Sequence, residues 1–211
     1  MPVMPDHSNQ VPSQVRVVVV GGGIVGSSVA YHLAKLGWKD ITLLEQNALA
    51  GGTTWHAAGM VGRLRTSSSM TRINEYSVQL YSSLQEETGH STGWKQVGSL
   101  IVARTQDRMR QLHRSVALAE YLGVEAMMID AEAAGEKCSI MRSDDLLGAA
   151  WLPGDGKVVP QDTATALAKG AAARGVQILE GVRVTKVEHR NGRVTGVATN
   201  QGPIEAEHVV L

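Results

Sequence analysis

The side chains best suited to chemistry lie in residues 51–59, which read GGTTWHAAG. His56 is at the centre of this segment, with Trp55 before it and Ala57 after it. A neutral imidazole can act as a nucleophile near pH 7, and small residues let a backbone run close against a ligand. The segment therefore predicts a ligand-binding loop in which His56 is a candidate hydrogen-bonding or nucleophilic group.

A glycine-rich motif precedes this loop in the chain. Residues 21–26 read GGGIVG and fit G-x-G-x-x-G, with Gly21, Gly23 and Gly26 at the defining positions. In such a motif the first glycine permits a tight turn, the second lets the backbone approach a pyrophosphate, and the third lets a helix lie close to a strand. Free N–H groups at the start of the following helix form an anion site. A glycine turn without a phosphate is the alternative.

The elements around the motif are those of a βαβ unit. Residues 15–20 (VRVVVV) predict a buried parallel strand, and apolar residues from Ile24 onwards recur at helical spacing until Gly37. Residues 41–44 predict the second strand, and Glu45 follows it, where a carboxylate can bind a ribose and repel a 2′-phosphate. Because strand, helix, stop signal and acid are all present, the sequence favours dinucleotide binding.

The run GTTWHAAGM at residues 52–60, with GGGIVG before it, resembles the FAD-dependent sarcosine and dimethylglycine dehydrogenases of the D-amino-acid-oxidase superfamily. The resemblance continues through residues 86–89, 92–94, 98–100 and 152–156 and so covers nearly the whole chain. It implies that FAD is the cofactor.

The resemblance also implies which residues bind the cofactor. The family's loop histidine, bonded to the 8α-methyl carbon of the flavin, corresponds to His56, and the backbone near Val184 would meet the adenine side. The complete set expected to bind FAD is Gly21, Gly23, Ile24, Val25, Gly26, Glu45, Gln46, Gly52, Thr53, Thr54, Trp55, His56, Ala57, Ala58, Gly59, Met60 and Val184.

Composition excludes several classes of partner. The 20 basic residues balance the 20 acidic ones, so no basic field attracts nucleic acid or an anionic membrane. Cys138 is the single cysteine, and no histidine pair has metal-ligand spacing, so we expect no disulfide and no metal. The longest apolar runs are strand-sized and predict no membrane span. We expect a cytoplasmic protein, with the mitochondrial matrix as the alternative.

The predicted fold class is α/β: a Rossmann-like FAD-binding domain with an inserted α+β substrate domain, in truncated form. Residues 1–14 are expected to be a disordered leader. Residues 15–66 and 155–211 are assigned to an incomplete FAD-binding domain, and residues 67–154 to the start of the substrate domain. Strands at 182–189 and 193–199 are joined through Asn191-Gly192, a strong hairpin signal. The last strand ends on its apolar stretch at Leu211, so we expect a fragment that is inactive alone and leaves a sheet edge uncovered.

The sequence gives weaker evidence for a functional role of several other residues. Arg63 and Arg65 could clamp a substrate carboxylate, although arginines in a polar segment are more often solvated or paired with acids. Trp94 is expected to pack rather than form an aromatic cage, and Asp155-Gly156 to be only a turn. Cys138 is assigned no role, and no catalytic residue is assigned.

The leading functional hypothesis is an FAD-dependent oxidoreductase that oxidises the C–N bond of a small N-methylated amino acid such as sarcosine or dimethylglycine. Its partners would be a small amine and an unassigned electron acceptor. A non-enzymatic relative of the pyruvate dehydrogenase phosphatase regulatory subunit type is the first alternative, and the presence of His56 argues against it. An NAD-dependent dehydrogenase is permitted by Glu45 but poorly matched by residues 51–59.

Overall fold

The computed structural model describes residues 10–211, so the first nine residues of the expected leader lie outside the described residues. The rest of that leader contacts the sheet. Val11 packs against a hydrophobic cluster, and the carbonyl of Ser13 accepts a hydrogen bond from the N–H of Glu205 at 2.9 Å. Gln14 already belongs to the first strand.

The elements follow one another as an α/β chain. The strands are β1 Gln14–Val20, β2 Ile41–Glu45, β3 Met60–Val61, β4 Lys95–Gln96, β5 Ser99–Ala103, β6 Met127–Ile129, β7 Gly148–Leu152, β8 Gly156–Lys157, β9 Gln177–Glu180, β10 Val184–Arg190, β11 Arg193–Thr199 and β12 Gly202–Val210. The helices are α1 Ile24–Lys35, α2 Ser68–Thr88, α3 Gln106–Tyr121, α4 Ala131–Lys137 and α5 Pro160–Ala172, with a 3-10 helix at Thr53–His56.

The chain divides into two compact units. Unit 1 contains the described residues up to Ala58 together with Leu84–Thr92 and Pro160–Leu211, and unit 2 contains Gly59–Ser83 and Gly93–Val159. These limits differ from the expected domain boundaries, since Leu84–Thr92 falls in unit 1 and Gly59 begins unit 2. The assignment of one domain to FAD and the other to substrate stays a prediction.

Unit 1 is built on a sheet with strand order β10-β11-β12-β1-β2-β9. β1 is parallel to β2 and to β12, and β2 is parallel to β9, whereas β10, β11 and the start of β12 form an antiparallel meander. Val18, Leu44 and Ile204 are fully buried in its core. Small residues along α1 and α5, including Ala30 and Ala168, are also buried, which lets the two helices pack closely.

The α/β, Rossmann-like fold class is confirmed, and so is the hairpin at Asn191 and Gly192, where φ is 52° and 75°. Both values lie in the left-handed region that a tight type I′ turn requires. The expectation that the last strand leaves a sheet edge uncovered is wrong for the first half of β12, residues 202–205, which pairs with β11. β12 lies inside the sheet order, between β1 and β11, because the meander covers its first half.

Unit 2 is an α+β arrangement around the sheet β5-β7-β6, with the short sheet β3-β8-β4 beside it in the same unit. Alternate residues of β5 face opposite sides, as a strand requires. Ala103 packs with Leu112 of α3, whereas Val102 packs in the cluster that contains Ala134 of α4. Among residues 10–211, none of the helices has both the length and the apolar character needed to cross a membrane.

Candidate functional site

The glycine loop after β1 is closed tightly against the start of α1. Gly21 has φ +102°, and its N–H donates to the carbonyl of Leu44 at 2.7 Å. A Cβ atom at Gly26 would lie 1.9 Å from the carbonyl oxygen of Gly21, a distance that no side chain can adopt. Glycine is therefore required at position 26 by the packing of this loop, whatever it binds.

The first turn of α1 meets the loop that contains His56. The hydroxyl of Thr54, a buried side chain, accepts a hydrogen bond from the N–H of Ile24 at 3.0 Å. A Cβ atom at Gly23 would be 3.0 Å from the same hydroxyl. The N–H of Ile24 is thus engaged by the protein rather than free, while the side chain of Val25 is 71% exposed at the helix start.

Glu45 lies where the end of β2 meets the glycine loop. Its carboxylate accepts hydrogen bonds from the N–H of Gly22 at 2.7 Å and from the N–H of Asn47 at 2.8 Å. The side chain is half-buried, whereas Gln46 next to it is exposed. The structure thus brings the glycine loop, α1, Glu45 and Thr54 together through hydrogen bonds.

The remaining residues of the expected flavin loop expose their side chains. Thr53–His56 form the 3-10 helix, and the rings of Trp55 and His56 are 3.9 Å apart between centroids, inclined at 33°. Trp55 is 52% exposed, and His56, Ala57 and Ala58 are exposed as well. An aromatic ring of this size left half in solvent presents apolar surface that a planar ligand can cover.

The last members of the expected set have separate positions. Gly59 and Met60 belong to unit 2, where the carbonyl of Gly59 accepts a hydrogen bond from Val158 at 2.8 Å and the side chain of Met60 is exposed in β3. Val184 is the first residue of β10 and packs against the core cluster of unit 1 that contains Leu44.

Asp155 is a residue that the sequence interpretation missed. It is only 4% exposed, and its carboxylate accepts hydrogen bonds from the N–H of Arg63 at 2.9 Å and from the hydroxyl of Ser99 at 2.5 Å. The interpretation of Asp155-Gly156 as only a turn is therefore wrong, because Asp155 ties together distant segments of unit 2 and Gly156 belongs to β8. Nothing in its neighbours LPGDG distinguishes it from an ordinary turn aspartate.

Arg63 and Arg65 have different surroundings. A Cβ atom at Gly154 would lie 2.8 Å from Cζ of Arg63, so this guanidinium packs on the Gly154 backbone, and its Nε is buried without a hydrogen-bond partner within residues 10–211. Arg65 instead lines a cavity of about 470 Å³ in unit 2. The polar groups around that cavity include Ser99 and Asp155, and its walls are mainly apolar.

Two further expectations concern single side chains. Trp94 packs edge-on over Gly156, since a Cβ atom there would be 2.5 Å from Cη2 of the indole, in keeping with a packing role. Cys138 directly follows α4 and is a free, half-buried thiol. In the part of the chain that the structure describes, no group of three or more His, Cys, Asp or Glu side chains is arranged to hold a metal ion.

The chain is similar in sequence and in structure to proteins of known families. The family of FAD dependent oxidoreductases (DAO) matches residues 16–211. The chain belongs to this family. The expected resemblance to sarcosine and dimethylglycine dehydrogenases is confirmed. The chain is 39% identical to the mitochondrial sarcosine dehydrogenase of Homo sapiens, over 96% of this chain and 23% of that protein. It is 35% identical to the mitochondrial dimethylglycine dehydrogenase of Rattus norvegicus, over 93% of this chain and 23% of that protein.

A regulatory protein is similar as well. The mitochondrial pyruvate dehydrogenase phosphatase regulatory subunit of Mus musculus is 42% identical over 97% of this chain and 23% of its own length. Among solved structures, the L-proline dehydrogenase from P. horikoshii superposes with a TM-score of 0.88 at 30% identity, over 94% of this chain and 52% of that one. The chain therefore spans about a quarter of these curated relatives and about half of the solved structure.

Proposed function

We propose that this protein is the FAD-binding part of an oxidoreductase that oxidises the C–N bond of a small N-methylated amino acid. The observation that carries this proposal is the closed glycine loop at the start of α1, hydrogen-bonded to Glu45 on one side and to Thr54 of the His56 loop on the other. The similarity to sarcosine and dimethylglycine dehydrogenases supports the choice of substrate class.

The residues of unit 1 fit an FAD molecule. The contact between Gly26 and the carbonyl of Gly21 leaves no room for a side chain at position 26, so a ligand there would meet the backbone at the start of α1, where the helix dipole favours a pyrophosphate. Glu45 would accept hydrogen bonds from the ribose, and the backbone near Val184 would face the adenine. Residues 52–58 would hold the isoalloxazine, with the exposed ring of Trp55 against it.

The protein's contribution to the reaction is binding and orientation. When bound, FAD supplies the two-electron acceptor, so that a hydride equivalent leaves the carbon beside the substrate nitrogen and water hydrolyses the resulting imine. The packing of Gly26 against Gly21 fixes the loop in the folded protein, which limits the ordering that ligand binding must impose. Thr54 fixes the adjoining segment, because its hydroxyl is bonded to the first N–H of α1.

We further propose that His56 holds the flavin covalently. Its side chain is exposed and lies against the ring of the neighbouring Trp55, so a ligand can reach the imidazole without opening the core. To test attachment, the full-length holoprotein is precipitated with acid, and flavin absorbance is measured in the pellet and the supernatant. We expect yellow protein with flavin in the pellet, and complete transfer to the supernatant for His56→Ala. The control His113→Ala, an exposed histidine of α3, should keep flavin in the pellet.

The results separate the two parts of this proposal. Wild-type protein that releases all its flavin would contradict the covalent bond while leaving FAD binding intact. Colourless protein that takes up NAD but not FAD would contradict the cofactor assignment.

A non-catalytic regulatory role is the second candidate. It is supported by the 42% identity to the regulatory subunit of pyruvate dehydrogenase phosphatase. The presence of His56 in the loop favours the oxidoreductase, because a regulatory protein has no evident need for a flavin-bonding residue. Reduction of bound flavin by a methylated amino acid would distinguish the two functions.

A further inference from the structure

The segment between β2 and the His56 loop, residues 46–50, is held by hydrogen bonds from both sides. On one side, the N–H of Ala50 donates to the carbonyl of Gly22 at 2.9 Å. On the other side, the N–H of Gly181 donates to the carbonyl of Asn47 at 3.2 Å, and the N–H of Leu49 donates to the carboxylate of Glu180. The segment therefore bridges the glycine loop and the end of β9.

Leu49 also packs directly on the glycine loop. A Cβ atom at Gly22 would lie 2.6 Å from Cδ2 of Leu49, so the leucine side chain occupies the space above this glycine. Ala50 is buried and has φ +57°, an uncommon conformation for a residue with a side chain. A left-handed alanine is maintained only where the surrounding contacts determine the backbone. Glu180 accepts the hydrogen bond from the N–H of Leu49, the residue directly before Ala50.

Glu180 and Glu45 are neighbours at the carboxyl edge of the sheet. They are the last residues of the parallel strands β9 and β2, and they stand opposite each other in the strand register. In-register residues of adjacent strands project to the same face. The two carboxylates hold alternate N–H groups of one segment, Asn47 by Glu45 and Leu49 by Glu180. Within residues 10–211, neither carboxylate forms an ion pair with a basic side chain.

We infer that Glu180 is a second specificity-determining residue of the dinucleotide site. It acts in two ways: it positions residues 47–50 through the N–H of Leu49, and it adds a negative charge beside Glu45 that disfavours a phosphate on the ribose 2′ oxygen. Glu180 is a positioning residue and needs no contact with the cofactor. The inference rests on the proposed binding of FAD and names the kind of ribose that the site accepts.

The two effects can be separated by two substitutions. Glu180→Gln removes the charge but keeps an oxygen that can accept from Leu49, whereas Glu180→Ala removes both. Glu86→Gln is the matched control, because Glu86 is an exposed carboxylate on α2 outside this edge of the sheet. Each full-length protein, the wild type included, carries His56→Ala so that flavin binds reversibly and can be removed. The flavin-free proteins are titrated with FAD, with 5′-ADP and with adenosine 2′,5′-bisphosphate, and amide exchange at Leu49 and Ala50 is followed by hydrogen–deuterium exchange.

We expect Glu180→Gln to bind FAD as the wild type does, while its affinity for the bisphosphate relative to 5′-ADP rises about threefold, as for the loss of one nearby charge. Glu180→Ala should show the same rise, together with an about fivefold weaker FAD affinity, as for the loss of one hydrogen bond. It should also exchange the amides of Leu49 and Ala50 faster before any ligand is added. Glu86→Gln should change none of these quantities.

Each result has a distinct meaning. If the wild type binds neither FAD nor 5′-ADP, the proposed function itself fails. If the wild type binds both and Glu180→Ala behaves as the control does in affinity and amide exchange, the role of Glu180 is refuted. An equal loss of FAD affinity in the Gln and Ala variants would refute positioning through Leu49. Because Gln retains the acceptor, the charge effect remains measurable even if the Ala variant does not fold.

Discussion

The absence of a Cβ atom at Gly26 is required by the packing of the glycine loop, which is also part of the proposed cofactor site. An added Cβ would overlap the carbonyl oxygen of Gly21 at 1.9 Å, and the glycine loop would have to move away from α1. We expect Gly26→Ala to lower the free energy of unfolding by about 1 to 3 kcal/mol, as for overpacking, and to abolish FAD binding. Thermal melts without added flavin and fluorescence titration with FAD measure the two effects.

Gly52→Ala is the matched control for this substitution. Gly52 has φ −87°, and an added Cβ would meet nothing within 4 Å. Its melting temperature should stay within about 2 °C of the wild type, because surface changes of this kind usually alter stability little. If Gly26→Ala were as stable as Gly52→Ala, the close approach of α1 to the loop would be wrong.

The two arginines after the His56 loop should differ in their effect on substrate. Arg65 lines the cavity in unit 2, whereas Arg63 packs on Gly154. If Arg65 binds the substrate carboxylate, Arg65→Met should raise KM for sarcosine about 10- to 100-fold, the range for one charge-assisted hydrogen bond, with little change in kcat. Steady-state kinetics of the full-length enzyme measure this.

Arg63→Met provides the matched comparison. Arg63 does not line the cavity, and its guanidinium is occupied by packing on Gly154, so we expect KM to stay within about twofold of the wild type. Equal increases in KM for both variants, or none for Arg65→Met, would rule out a specific carboxylate contact at Arg65.

At the scale of elements, a polar network around the buried Tyr31 connects α1, the last turn of α2 and the segment after α5. The hydroxyl of Tyr31, a fully buried residue, donates to Glu87 at 2.7 Å, and Arg174 forms an ion pair with the same carboxylate at 2.5 Å. Burial raises the pKa of Tyr31, and the hydrogen bond to Glu87 raises it further. Burial also acts to raise the pKa of Glu87, but Tyr31, Arg174 and Lys35 together lower it below 4.5.

The lowered pKa of Glu87 predicts a pH dependence of stability. A depressed carboxyl pKa contributes stability that is present above the unfolded value of 4.5 and is lost as the pH falls through the folded value. We expect Glu87→Gln to melt at a lower temperature than the wild type at pH 7, and the difference to shrink below pH 4.5. Thermal melts from pH 7 to pH 3 measure it. Glu86→Gln, the adjacent exposed position, should follow the wild type throughout, and a constant difference for Glu87→Gln would contradict the argument.

The sequence predicted local features well and long-range contacts poorly. The βαβ unit and the Asn191-Gly192 hairpin follow from hydrophobic period and turn chemistry within a few residues, and both are present. Asp155 and Glu87 are different, because their partners Ser99 and Arg174 lie 56 and 87 residues away. No local pattern marks an aspartate that a fold will bury. The role of the site residues in binding FAD stays a prediction for a different reason, because it depends on a ligand as well as on the chain.

At the scale of the whole molecule, family membership leaves two functions open. The 204-residue match to a regulatory subunit and the 209-residue match to a sarcosine dehydrogenase are similar in identity, at 42% and 39%. Both relatives are about four times longer than the matched region, so shared ancestry of this region does not decide between catalysis and regulation. To distinguish catalysis from regulation, a measurement must give a positive result only for an oxidoreductase.

That measurement is anaerobic reduction of the bound flavin. We expect sarcosine and dimethylglycine to bleach the visible flavin band of the full-length protein, because each carries an N-methyl carbon that can lose a hydride equivalent. Glycine, which lacks that carbon, is the matched control and should bleach it much more slowly. The products should include formaldehyde in a one-to-one ratio with reduced flavin. A protein that binds FAD yet is reduced by none of these amino acids, while dithionite still reduces it, would favour the regulatory function and overturn the enzymatic one.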